Sequence, residues 1–191
     1  MSYPQSFQPL PKHAKKVFDG VVFSVWQWEQ KMYDGTTQIF EKASRTASVG
    51  VIAITRDKKI VLTIQEQPGM QKFISLLGGV VDPGETEIAA AHREIKEEAG
   101  LTTSDMKLWY SVQPVTKIEW PIYTYIAKNC EIVDKPQPDA GEKITLKFVT
   151  WEEFLDTIYL EEFRDTEIAL RLLQLQKTPE KLEEVRQLFF E

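Results

Sequence analysis

Twenty-three residues, Gly79 to Leu101, constrain this chain more than any other stretch: GVVDPGETEIAAAHREIKEEAGL, a glycine turn that opens a charged helix. Asp82-Pro83-Gly84 is turn chemistry, and Gly78, Gly79 and Gly84 permit close backbone approach and positive φ. Thr86 is placed to cap the helix, Glu87 to complement the positive end of its dipole, and Gly100 to stop it in a left-handed C′ conformation. At about 100° per residue, Glu94, Glu97 and Glu98 fall in one stripe, while Ile88, Ala91, Ile95 and Ala99 gather on a face suited to a core. Like charges at i,i+4 repel by roughly 0.2–0.5 kcal/mol per pair unless a cation sits among them.

A hard divalent cation is the natural occupant of such a stripe. Mg²⁺ prefers oxygen ligands, keeps several waters, and is commonly held by a few carboxylates together with a substrate phosphate. The bland alternative is a solvated acidic face balanced by Arg93 and Lys96. The full spacing weighs against it. Gly-x5-Glu-x7-Arg-Glu-hydrophobic-x-Glu-Glu-x-Gly-hydrophobic is filled by Gly79, Glu85, Arg93, Glu94, Ile95, Glu97, Glu98, Gly100 and Leu101, and in this the chain resembles the Nudix hydrolases.

The resemblance implies an α/β fold, an α/β/α sandwich with a mixed β-sheet, that hydrolyses a nucleoside diphosphate linked to another moiety. It implies Mg²⁺, with Mn²⁺ as a substitute, held by Glu94, Glu97, Glu98 and the Gly78 backbone carbonyl, with Glu85 supporting the metal shell or acting through water. Arg93 would orient the glutamates. The general base would be one of these glutamates or a loop acid, with Glu142 the best remote candidate and Asp139 its substitute. Direct attack by water, without a covalent intermediate, is the mechanism expected, because neither His13 nor His92 nor Cys130 has the setting of a nucleophilic triad. His92 points away from the glutamate stripe and is expected at the surface or in packing.

Substrate choice has to come from other loops. Residues 1–45 are expected to form an N-terminal β-hairpin appendage, with Val21 to Tyr33 and Thr36 to Lys42 as strands around Asp34-Gly35, and 46–191 the catalytic domain with C-terminal helices. This appendage is similar to that of the ADP-ribose and nucleoside-diphosphate-sugar pyrophosphatase branch, which implies a homodimer and a pocket built partly from the appendage. Arg45 is a candidate for a substrate phosphate, and Trp28, with Trp26, Tyr33 and Phe40, for stacking a base, although hairpin aromatics more often pack against a sheet. Glu66 and Gln67 fall where similar proteins place pocket residues, and a surface strand end explains them equally well. The expected substrate is ADP-ribose or a related nucleotide sugar, cut to a nucleoside monophosphate and a sugar phosphate. The alternatives are a nucleoside triphosphate or dinucleoside polyphosphate hydrolase, or a nucleotide-binding module without catalysis.

Composition narrows the partners. A formal charge of −6 over 191 residues argues against a general nucleic-acid or anionic-membrane surface, and no apolar run approaches a membrane span. The single cysteine, Cys130, forms no intrachain disulfide and is expected as a packed thiol in a cytoplasmic protein. Downstream, 49–55 and 60–65 are expected to form a hairpin, 73–77 a short strand, and 108–115 and 122–127 strands. Ile144, Leu146 and Phe148 should form one buried strand face, and Thr150 to Glu153 a capping box. Further helices should start at Asp165 or Thr166 and at Thr178-Pro179, the last burying Leu182, Val185, Leu188 and Phe189.

Overall fold

The structure is a computed structural model that describes residues 4–138 and 140–191. Its centre is a mixed sheet built on β4 (Ser48–Thr55) and β5 (Ile60–Glu66), joined by a tight turn in which Lys58 takes a φ of 63°. Both strands are apolar almost throughout, as a sheet covered on two faces requires. Alternation then sends side chains to two separate cores. Val49, Val51, Ala53 and Val61 pack under α1 (Glu87–Ala99) against Ala90, Ala91, Ile95 and Ala99. Ile52, Ile54, Ile60 and Leu62 face the opposite layer of α2 (Trp151–Thr157), α3 (Thr166–Gln176) and α4 (Pro179–Phe190), where Phe154, Ile168, Leu172 and Phe189 are wholly buried. This is the expected α/β/α sandwich.

Strand β11 (Ile122–Ile132) runs parallel to β4, and β12 (Lys143–Val149) runs antiparallel to β5. Strand β9 (Asp105–Val112) covers the far side of β11, whose last residues also pair with the two-residue β8 (Leu101–Thr102). Helix α1 begins and ends where its sequence dictates. Thr86 Oγ1 accepts from Ala89 N at 3.3 Å, and Gly100 closes the helix with a φ of 65°. Helix α2 carries the full reciprocal capping box between Thr150 and Glu153.

Several expectations are corrected. The glycine pair is strand rather than loop: β6 (Phe73–Ser75) and β7 (Leu77–Val80) edge β5 and β4, with Gly78 opposite Gly50. At Gly78, φ is +151° and a Cβ would lie 2.1 Å from Val49 O, so no side chain fits there. The appendage is more than a hairpin. β1 (Lys15–Asp19), β2 (Ser24–Lys31) and β3 (Thr37–Ser44) form an antiparallel sheet, extended by the parallel pairing of β10 (Ile118–Glu119) with β3. Buried Lys42 ties this joint together, its Nζ donating to Glu119 at 2.5 Å, Ser6 Oγ at 2.7 Å and Gln8 O at 2.6 Å. Asp165 precedes α3 but does not cap it; its carboxylate accepts from Leu76 N at 2.7 Å instead. Phe148 and Leu188 are 44% and 46% exposed, so the faces assigned to them are only partly buried.

Candidate active site

Helix α1, strand β7 and the segment leading into β12 enclose a cavity of about 350 Å³. Glu94, Glu97, Glu98, Arg93, Glu142, Gly78 and Gly79 all line it, with Asp82, Val80 and Pro138. The fold thus brings the helix acids together with Glu142, which stands 44 positions beyond Glu98 in the chain. Asp139, the other loop acid named from sequence, lies outside the described residues.

Arg93 organises one end of this cavity. Its guanidinium grips Glu85 with two donors, Nε to Oε1 at 3.2 Å and an Nη to Oε2 at 3.0 Å. The other Nη donates to Glu94 at 2.8 Å and to Glu97 at 3.0 Å, and Val80 O accepts from the guanidinium at 2.9 Å. Such charge-assisted bonds hold Glu85 below the ordinary carboxylate range and raise Arg93 further above neutrality. Glu94 fits here because Gly79 has no side chain; a Cβ would come within 2.3 Å of its Oε1.

Glu98 is held differently. It is 4% exposed and receives only neutral donors: Gly78 N at 2.8 Å and Gln65 Nε2 at 3.1 Å. Burial pushes its carboxyl up to about 8, with the Gly78 bond opposing and the Glu94, Glu142 and Asp165 charges adding to the rise. Glu94 is also raised, first by burial and further by Glu97 and Glu142. A buried carboxylate beside other acids is a setting that a divalent cation relieves, and the donor set, all oxygen, suits a hard ion. In this geometry, among the described residues, no three acids converge into a preformed cage; Arg93 stands between Glu94 and Glu97. Gly78 lines the cavity, and its hydrogen bond to Glu98 is made by its amide.

A second cavity shares Gly78, Gly79, Val80 and Glu142 with the first and continues past Arg45, Trp120, Phe73, Gln65 and Asp165. Arg45 lies with its guanidinium carbon 4.5 Å from the Trp120 ring centroid, and its buried Nε has no hydrogen-bond partner among the described residues. Asp165, in the same cavity, is raised to about 7 by burial. Trp28 is not brought here. It is 5% exposed, packs edge-on against Phe40 at 5.9 Å and lines a separate depression on the appendage with His13 and Lys15. Trp26 donates to Ser44 Oγ at 2.8 Å, and Tyr33 is fully exposed at the hairpin tip. The aromatics beside the acidic cavity are instead Trp120 and Phe73; Trp120 follows β10, which pairs with β3, and its Nε1 donates to Ser48 Oγ at 3.0 Å.

Sequence reading named Gln67 but passed over Thr63 and Gln65, which precede it on the same face of β5. Their signal was available: polar residues at alternate positions between the apolar Leu62 and Ile64 of the other face. Cys130 is buried as expected, its thiol pushed up to about 11. No helix among the described residues is long and apolar enough to cross a membrane.

Known proteins match this arrangement. The chain is 29% identical over 180 residues to a methanol dehydrogenase activator of Bacillus methanolicus, covering 90% of this chain and 95% of that protein. It is 23% identical over 168 residues to an ADP-ribose pyrophosphatase of Bacillus subtilis (strain 168), covering 85% and 91%. The crystal structure of an ADP compounds hydrolase superposes with a TM-score of 0.68 at 18% identity, over 91% of this chain and 97% of that one, a likeness of fold. The NUDIX domain family matches residues 44–172. Proteins of this kind act on nucleotide-derived small molecules and in general use divalent metal ions. With most of its length inside that match, and the three helix glutamates of the signature lining one cavity, the chain belongs to the Nudix hydrolase family.

Proposed function

We propose that this protein is an Mg²⁺-dependent diphosphatase of ADP-ribose or a closely related nucleoside diphosphate sugar, releasing a nucleoside monophosphate and a sugar phosphate. The observation that carries the reading is the shared wall of two cavities: one lined by Glu94, Glu97, Glu98 and Glu142, the next by Arg45 and Trp120. A diphosphate spanning that wall sets its bridge beside the acids and its nucleoside end beside the arginine. The name of the B. subtilis relative points to the same substrate.

Glu94, Glu97, Glu98 and the Gly78 carbonyl would hold the cation, with Glu85 behind them. When bound there, a divalent ion neutralises charge on the diphosphate oxygens and makes a water more acidic. The protein's own groups do the rest. Glu142 accepts the proton as water oxygen bonds to phosphorus, and the bridging P–O bond breaks to leave the second phosphate. Arg93 keeps Glu94 and Glu97 turned toward the cavity, and Arg45 offers its unpartnered Nε to a phosphate oxygen or a base acceptor. The missing side chains at 78 and 79 let strand β7 lie against Val49 and let the Glu94 carboxylate lie over Gly79.

Purified protein with Mg²⁺ should be given ADP-ribose, nucleotide sugars, dinucleoside polyphosphates and nucleoside triphosphates, with products separated by chromatography. AMP and ribose 5-phosphate from ADP-ribose support the reading; turnover confined to triphosphates overturns it. We further propose a cytoplasmic homodimer built on the appendage, where Val17, Phe18 and Ile39 are 53%, 59% and 62% exposed on one small sheet. Light scattering should give twice the 22.1 kDa chain mass, and Ile39→Glu should lower it.

A further inference from the structure

Strand β5 pairs with β12 in a register that sets Lys143 opposite Glu66. One step further along the ladder, Gln67 meets Glu142, and the amide makes the contact: Gln67 Nε2 donates to Glu142 Oε1 at 3.1 Å. The same nitrogen donates its second hydrogen to Gln65 Oε1 at 3.1 Å, and Gln65 Nε2 donates in turn to Glu98 Oε1 at 3.1 Å. Thr63 Oγ1 and Ser75 Oγ, at 3.1 and 3.2 Å from Gln65 Nε2, fix that amide from below. An unbroken line of hydrogen bonds therefore joins the buried acid of α1 to the acid at the start of β12. With both end carboxyls ionised, as a bound cation would keep Glu98, each end oxygen accepts and the amide orientations follow from their partners.

The segment that carries Glu142 is held at its other end by backbone. Val133 N donates to Gly100 O at 2.9 Å and Gln137 N to Glu97 O at 2.7 Å, so its first half rides on the last turn of α1. Between Gln137 and β12, Gln67 supplies a side-chain anchor through its bond to Glu142. A lysine or arginine at 67 would also reach an acid, but would bring a positive charge that favours the ionised form and weakens it as a proton acceptor. An amide orients the carboxylate without adding a charge of its own.

We propose that Gln67 is a positioning residue, whose neutral amide aims Glu142 into the acidic cavity and couples it through Gln65 to Glu98. The inference rests on the reading of Glu142 as proton acceptor, and its test separates the two. In steady-state assays with ADP-ribose and Mg²⁺, Gln67→Leu should lower kcat by ~10–100-fold, the range seen for residues that orient an active group, with KM within about 2-fold of the parent. Glu142→Ala should lower kcat at least as far, and the double variant should match Glu142→Ala alone within about 2-fold, since a residue acting through another adds nothing once the other is gone. Gln67→Lys should keep the segment ordered yet leave kcat depressed, with the acidic limb of the pH profile moved to lower pH.

An unchanged kcat in Gln67→Leu, a rise in KM alone, losses that multiply in the double variant, or full activity in Gln67→Lys each overturns the proposal. Full activity in Glu142→Ala overturns the underlying reading and the proposal with it. Hydrogen exchange needs no substrate and reads the tether by itself: amides of 140–143 should exchange faster in Gln67→Leu, stay protected in Gln67→Lys, and leave those of α1 unaltered. Unchanged exchange in Gln67→Leu overturns the tether whatever the substrate proves to be.

Discussion

The two ends of the acidic cavity hold their carboxylates by opposite means. At the outer end, Arg93 binds Glu85, Glu94 and Glu97 with one guanidinium, and Glu85 is stabilised in its ionised form. At the inner end, Glu98 sits at 4% exposure among an amide side chain and a backbone N–H, and its ionised form is disfavoured until a cation arrives. Paired acids are already satisfied, whereas acids held by neutral dipoles retain most of their appetite for charge. The difference sets Glu85, a support gripped by two donors, apart from Glu98, a binding group, with Glu94 and Glu97 shared between Arg93 and the cation they would hold. Residues 97 and 98 are neighbours in sequence, yet one faces the arginine and the other the sheet.

The contrast is broken most severely at Glu98. Glu98→Gln keeps the volume and an acceptor for Gly78 N but removes the buried charge. If the inner end binds the ion, kcat should fall by ~10³-fold, the scale of losing several kcal/mol of electrostatic stabilisation, while circular dichroism stays that of the parent. Isothermal titration with Mg²⁺ should show weakened uptake in the same variant. Retained turnover and retained uptake would place the cation elsewhere.

Arg93→Lys is the milder cut, because it leaves a positive charge and deletes the fork. A lysine reaches one or two of the three acids and cannot grip Glu85 with two donors. Loss of orientation should lower kcat by ~10–100-fold, with Mg²⁺ uptake at the inner end largely kept. Steady-state rates and titration calorimetry on the two variants together show whether support and binding are separable.

How much of this was legible beforehand follows the range of the forces involved. Helix α1 was, because its start and stop are written within two turns of chain: Thr86 accepts from Ala89 N, and Gly100 takes positive φ. The stripe of Glu94, Glu97 and Glu98 followed from helical period alone, but the split between its members did not, since it needs β5 and β7 to arrive beneath Glu98. Strand β1 escaped notice because all five of its residues are exposed and carry no alternation, so only pairing with β2 defines it. Gly78 and Gly79 imitate a loop in composition, and become strand by pairing with Gly50 and Val49, an approach that leaves no room for a Cβ at Gly78. Trp28 and Trp120 show the same limit. Both are tryptophans in or beside strands of the same small sheet, and tertiary placement decides that Trp120 joins Arg45 while Trp28 packs on Phe40.

The smallest effect is the most diagnostic, because the two ends should respond to pH in opposite directions. Glu98 ionises at about 8 in the folded protein against an ordinary 4.5, so between those values the folded state binds more protons than the unfolded one. Stability must then fall as pH rises across that interval. Asp165, raised to about 7 from 3.8, acts with the same sign. Glu85 is depressed below 4.5, so its contribution is present above that value and is lost as pH falls below it. Thermal melts without divalent cation should therefore show Tm declining from pH 5 to pH 8 and, separately, declining again under strong acid. Mg²⁺ should raise Tm most at pH 8, where the inner end is most in need of a cation, and Glu98→Gln should flatten the alkaline decline while leaving the acid one. Arg93→Lys should do the reverse, weakening the acid-side decline through loss of the Glu85 fork. A Tm that rises steadily from pH 5 to pH 8 in cation-free buffer would mean that Glu98 is ionised and satisfied in the folded state, and the distinction between the two ends would not hold.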